Sequence, residues 1–280
     1  MSTNAPKIIE DENLSHAWGR AFLRLMMRPA KKHEPLVISL TGFDGAGPIE
    51  AEPIRSALDE ALRGVSGKKL FSCRTTASLI FPHDYWRRRP WRSRQEFFDS
   101  YLNDMYPRLR ALDLRNRRGT YFQRMLQYSG LDGDEAHTVN QLDFVIDLWQ
   151  KARAKNRRPR HSALQIACFD PAKDHTGSAL AVFPCLQQVS ACFGEDSGGL
   201  AISGYYPSEF IFDRAYGNYL GLCHLGMFMA AQMQVNLVRV NVFVGQPALG
   251  YTGKRALTAL RQIVQEQLRA AGKPCDGDDA

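Results

Sequence analysis

Phe183-Pro184-Cys185, the run Leu200-Ala201-Ile202-Ser203-Gly204-Tyr205-Tyr206-Pro207-Ser208, and Asn218 at the head of the apolar segment Tyr219 to Gln232 decide how this chain is read. Leu180 to Phe193 and Leu200 to Tyr206 alternate with the period of two that sets one side of a strand against a core, and the polar Gly194 to Gly199 between them reads as a hairpin turn. Tyr219 to Gln232 is apolar on nearly every side, which predicts a central buried helix. The order cysteine, strand, turn, strand, serine, asparagine, helix is the part of the chain that points to a reaction.

Ser162 to Phe169 reads as a buried strand leading into Asp170-Pro171, and Val139 to Lys155 as an amphipathic helix with Leu142, Val145, Ile146 and Trp149 inward. Arg94 to Leu112 is a helix with an aromatic stripe, Leu70 to Phe81 reads as extended, and Val235 to Val244 is a last strand before a surface helix from Thr252 to Ala271. Near the start, His16 to Arg28 is a basic amphipathic helix that packs on its own domain, and Leu36 to Leu40 is a short strand. Thr41-Gly42-Phe43-Asp44-Gly45-Ala46-Gly47 resembles the phosphate loop of nucleotide kinases, but Pro48 and Ile49 stand where that loop needs Lys and Ser or Thr, so it reads as a glycine turn. A helix from Glu52 to Leu62 follows. No repeat or low-complexity linker divides the chain, which is read as an extension over residues 1–35 and one α/β domain over 36–280.

With 280 residues and 44% hydrophobic content, the chain can bury one large core. Its net charge of +7 favours an anionic partner such as a nucleotide phosphate. Arginines cluster at Arg87 to Arg89, Arg115 to Arg118 and Arg153 to Arg160, and the first two clusters read as solvated faces. The six cysteines show no metal-ligand spacing, so no metal is expected. No cleavable leader precedes them and no apolar run spans a bilayer, so the expectation is a cytoplasmic protein with reduced thiols.

From about Arg118 to Tyr251 the chain resembles the thymidylate synthase and pyrimidine hydroxymethylase family. Gly119-Thr120-Tyr121, Asn140-Gln141-Leu142, Cys168-Phe169-Asp170-Pro171, Pro184-Cys185, Tyr205, Ser208, Phe212, Asn218 and Tyr251 occur in the family's order. Arg74-Thr75-Thr76 is similar to its phosphate-binding Arg-Thr-Gly-Thr, and Glu96 to the glutamate that orients active-site water. The resemblance implies a thymidylate synthase-like fold, with a large mixed sheet carrying Cys185 on an inner strand, the buried helix behind it, and a homodimer formed by stacking sheets.

It implies further that Cys185 adds to C6 of a uracil-type nucleotide, making C5 an enolate carbon able to attack a one-carbon electrophile. Asn218 would pair with the base, Ser208 and Tyr251 would hold phosphate and sugar, and Tyr121 and Arg74 would complete the site. The carbon donor would be 5,10-methylenetetrahydrofolate. Several positions depart from the family pattern. Leu186 replaces His, Pro207 replaces the phosphate-binding Arg, and Phe210 replaces an Asp. Pro247-Ala248-Leu249 replaces an Asp-x-His, and Ser162 and Ala163 replace the arginines that reach across the dimer. One helix follows where the family has further strands and a tail closing over folate. Arg214 is the candidate substitute for the phosphate arginine, and Arg158 and Arg160 for the cross-dimer pair. The alternatives are a catalytically silent nucleotide sensor or scaffold, and a nucleic-acid binder working through the arginine runs. The net charge does not separate a small phosphate from nucleic acid, and the expected partner is a pyrimidine nucleotide rather than nucleic acid or a membrane.

Overall fold

Strand β7 (Leu200–Phe210) lies inside a six-stranded mixed sheet with the order β1-β2-β8-β7-β6-β5. The computed structural model describes residues 6–27, 34–67, 70–132, 135–175, 184–194 and 198–275. β1 (Lys7–Asp11) runs parallel to β2 (Leu36–Leu40), which is antiparallel to β8 (Leu237–Ala248). β8 is parallel to β7, and β6 (Gln188–Phe193) and the short β5 (Gln165–Ala167) complete the sheet in antiparallel fashion. A separate hairpin joins β3 (Tyr128–Asp132) to β4 (Glu135–Val139).

One face of the sheet makes the core. Ile38, Leu40, Val189, Ala191, Ile202, Tyr206, Val240, Val242 and Val244 are buried on it, under α1 (Leu14–Met27) and α10 (Tyr216–Met233). The alternate residues of the same strands, including Gln188, Ser203, Tyr205, Arg239, Asn241 and Phe243, face the other way and are exposed or half-buried. α10 is the buried central helix the sequence predicts, with fourteen of its residues buried.

Around this frame lie α2 (Glu52–Arg63), α3 (Cys73–Ile80), α4 (His83–Arg87), α5 (Arg94–Ser100), α6 (Tyr106–Leu112), α7 (Tyr121–Leu126), α8 (Gln141–Arg153), α9 (Pro171–Asp174) and α11 (Thr258–Ala270). α3 corrects the extended reading of Leu70 to Phe81. Ser72 caps it by accepting from the Thr75 amide, and Cys73, Thr76, Ala77 and Ile80 form a buried stripe at helical spacing. That stripe is small because α10 comes very close. A Cβ on Gly217 would sit 2.5 Å from Cβ of Thr76, and one on Gly221 would sit 2.8 Å from the Ala77 carbonyl oxygen. Only glycine permits that approach.

Further corrections concern boundaries. The prefix expected as an extension is part of the sheet, since β1 pairs with β2 and α1 buries Trp18 and Phe22. Trp18 also donates to the Ile211 carbonyl at 2.8 Å. Cys185 lies in a bend ahead of β6 rather than on an inner strand, and the first part of the predicted strand, Leu180 to Phe183, falls outside the described residues. The buried strand predicted over 162–169 is reduced to three residues after a short 3-10 turn, His161–Ala163. The glycine turn holds, with Asp44 Oδ1 accepting the Ala46 and Gly47 amides at 2.8 Å. No helix among the described residues is long and apolar enough to cross a membrane.

Candidate functional site

The bend carrying Cys185, the end of β7, the start of α10 and the wall formed by α3 and α7 enclose a cavity of about 180 Å³. Five of the residues picked out from sequence line it together: Tyr121, Cys185, Ser208, Arg214 and Asn218. They come from four separate stretches of chain, so folding rather than sequence proximity assembles them.

Each is held by a local rule. Thr120 caps α7, its hydroxyl accepting from the Gln123 amide and bonding the Tyr101 hydroxyl at 2.7 Å. This fixes Tyr121, whose hydroxyl oxygen accepts the Cys185 amide at 3.1 Å. Asn218 is not the helix cap that its sequence position suggests. A π-helical turn, Ile211–Ala215, precedes α10, so Asn218 falls in the first turn of the helix with its side chain free to enter the cavity wall. Its Nδ2 donates to Glu209 Oε1 at 2.9 Å, and the Tyr219 hydroxyl donates to Glu209 Oε2 at 3.1 Å.

Glu209 is the residue sequence reading missed. Strand alternation continues inward at positions 200, 202, 204 and 206, then slips at Pro207-Ser208 so that Glu209 is buried, at 3% exposure. The strict period of two predicts an outward side chain there, and the resemblance directs attention to Phe210 for the missing acid. Burial pushes the Glu209 carboxyl up to about 7, against the opposing hydrogen bonds from Asn218 and Tyr219. It can gain or lose a proton near neutrality.

Cys185 is exposed at the cavity mouth, yet enough protein surrounds its sulfur that desolvation is the largest influence and raises the thiol pKa. Glu209 raises it further, while Arg214 and a hydrogen bond from Tyr121 pull it down. At rest the sulfur is a thiol that can be reached from solvent. Arg214 is half-buried, and its desolvation, followed by repulsion from Arg115, lowers its own pKa. Its guanidinium stays charged. Arg115 and Arg214 lie over one ring, 4.6 Å and 5.3 Å from the centroid of Phe71. Arg118 also lines the cavity. From the cluster Arg115 to Arg118, Arg115 and Arg118 border the cavity, while Arg117 is exposed and does not. Thr76 lines the cavity too, and its Oγ1 is buried with no hydrogen-bond partner among the described residues.

The other candidates fall elsewhere. Arg74 is exposed and paired with Asp84, Nη2 to Oδ1 at 2.6 Å, because α3 turns it away from the cavity that its neighbour Thr76 faces. Glu96 caps its own turn, accepting the Arg92 amide at 2.7 Å and pairing with Arg89. Tyr251 is 70% exposed and packs its ring on Phe210, which itself lines the cavity. Arg158 and Arg160 are exposed, away from the cavity. Arg124 does line it but is committed, its guanidinium donating to Asp174 and to the Cys168 and Arg118 carbonyls. The site can thus offer a thiol, a carboxyl poised near neutrality, an amide and a cationic wall. No protein-family model matches the chain, and no curated protein matches it.

Proposed function

We propose that the chain is a divergent relative of the thymidylate synthase and pyrimidine hydroxymethylase family, and that its cavity binds a uracil-type nucleotide for addition of Cys185 to C6 of the ring. The observation that carries this reading is the convergence of Cys185, Asn218, Ser208, Tyr121 and Arg214 on one cavity. Asn218 uses one Nδ2 hydrogen on Glu209; its other N–H and its carbonyl oxygen match O4 and N3–H of uracil. Arg214, backed by the Phe71 ring, supplies the positive charge for the nucleotide phosphate and does the work of the arginine that Pro207 lacks, while Arg115 on the same ring is paired with Asp113.

In the chemical step the thiol gives up its proton as sulfur bonds to C6, and the C5–C6 π pair moves onto C5 and O4 as an enolate. Glu209, near its half-ionised point, takes the proton that the thiol gives up and delivers a proton to C5. Removal of the original C5 hydrogen by the carboxylate regenerates the enolate, which expels the sulfur as thiolate to be reprotonated, so that only the C5 hydrogen has exchanged. The cavity, of about 180 Å³, opens to solvent beside Cys185. The exchange cycle needs no carbon donor, and no step is routed through methylenetetrahydrofolate.

The uncovered sheet face supports the family's back-to-back homodimer. Tyr205 and Phe243 are opposite one another in register on that face and stand 48% and 43% exposed.

The test is loss of deuterium from C5 of 5-deuterouridylate or 5-deuterodeoxyuridylate in water, with mass detection of an adduct between Cys185 and the 5-fluoro analogue. Exchange by the native chain and none by Cys185→Ala is the expected result, and absence of nucleotide binding overturns the reading. The raised thiol pKa favours a second reading, a site that binds nucleotide without turnover. Binding that Asn218→Ala abolishes, without exchange or adduct, would select it.

A further inference from the structure

A second concavity, of about 620 Å³, opens at the other end of α10, between the α4–α5 connection and Gln232. Asn218 in the first cavity and Gln232 here lie roughly 20 Å apart along the helix axis at 1.5 Å per residue. No ligand of a few ångströms can bridge the two. No carboxylate lines this groove, whereas five arginines do.

Two of the five are committed. Arg94 donates to Asp143 and Asp147 at 2.6 Å each. Arg89 pairs with Glu96 and lies 4.2 Å over the Trp91 ring. Arg87, Arg88 and Arg92 have exposed side chains with no acidic partner among the described residues. A run of arginines on a convex helix would spread its charge into solvent. Here Pro90 ends the helical path, and Trp91 Nε1, donating to the Trp86 carbonyl at 2.7 Å, folds the chain back so that the arginines surround an aromatic floor. Like charges held around one concavity raise the local potential until an anion of matching charge enters.

We propose that this groove is a second anion site, which binds the phosphate chain of a nucleoside triphosphate or of inorganic triphosphate through Arg87, Arg88 and Arg92. Three unpaired guanidiniums exceed what one monoanion can satisfy and match a chain of phosphates, with Arg available for bidentate contact. The volume lies within the roughly 300–1,000 Å³ of small-molecule pockets. A single-stranded nucleic acid would need ring faces open for base stacking. Trp91 offers none, since Arg89 lies on it while Tyr85 and Phe97 pack at 5.4 Å centroid distances.

The experiment is equilibrium binding of inorganic triphosphate and of ATP to the full chain at low salt, repeated with Arg88→Gln/Arg92→Gln, Arg214→Gln and Cys185→Ala. Saturable binding is expected, weakened about tenfold or more in the Arg88→Gln/Arg92→Gln protein, as loss of a charge-assisted hydrogen bond implies. It should be unchanged in the other two variants. No saturable binding of either probe overturns the proposal. So does equal affinity in a folded Arg88→Gln/Arg92→Gln protein, or binding of a single-stranded oligonucleotide that triphosphate does not displace. Loss of binding in Arg214→Gln alone would assign the phosphate chain to the Cys185 cavity and also overturn it.

Discussion

Nδ2 of Asn218 donates to Oε1 of Glu209 at 2.9 Å in the wall of the cavity onto which Cys185 opens. The pair joins the amide proposed to read a base to an acid that titrates near neutrality, and Glu209 in turn acts on the thiol.

That coupling has a sign at the sulfur. Glu209 raises the Cys185 pKa and Arg214 lowers it. Alkylation of Cys185 by iodoacetamide, located by mass spectrometry, is therefore faster in Glu209→Gln and slower in Arg214→Gln than in the native chain at pH 8. In the native chain the rate goes on rising beyond pH 9, the ordinary thiol value. Equal rates in all three proteins would break the electrostatic link.

Glu209 also sets a pH dependence of stability. Its folded pKa of about 7 lies above the ordinary 4.5, so its contribution is intact below pH 4.5 and is lost as pH rises through about 7. Denaturant titrations of Glu209→Gln against the native chain will show the variant gaining relative stability between pH 4.5 and pH 8, up to about 3 kcal/mol at 1.36 kcal/mol per pKa unit. A gain of the same size at both pH values would refute the shift.

The α3–α10 seam is the most sterically constrained contact near the site. Gly217→Ala puts a methyl 2.5 Å from Cβ of Thr76 and will destabilise the fold by about 1–3 kcal/mol. Because Thr76 lines the cavity, the affinity for the proposed nucleotide is expected to fall with it. A neutral change in both denaturation midpoint and affinity contradicts the close approach.

Arg124 and Asp174 form a buried ion pair, with Nη1 2.6 Å from Oδ2. Arg124→Met leaves the Asp174 carboxylate buried without its partner, a loss of about 3–5 kcal/mol in denaturant unfolding. Arg124→Met/Asp174→Leu, with both charges gone, recovers much of it. Failure of the double variant to recover would mean that the lost carbonyl contacts of Arg124, rather than the buried unpaired charge, dominate.

Most of the sheet and the central helix were legible in the chain because they obey simple periods. Val240, Val242 and Val244 alternate inward, and α10 is apolar all round. α3 was not legible, because its inward stripe is made of small residues whose fit depends on Gly217 and Gly221, distant in sequence. Cys185, Ser208, Asn218 and Arg214 were found by their order along the chain. Glu209 escaped because one slip in alternation at Pro207-Ser208 reverses which side chain turns inward. Arg74 and Glu96 fit a motif in one dimension, but local ion pairs hold them elsewhere.

The margins of the sheet have a consequence for how the protein ages at high concentration. β5 spans three residues, and β1 carries Lys7, Glu10 and Asp11 along five. Neither rim offers a long neutral template onto which a foreign strand could zip, so fibril growth by lateral accretion is suppressed.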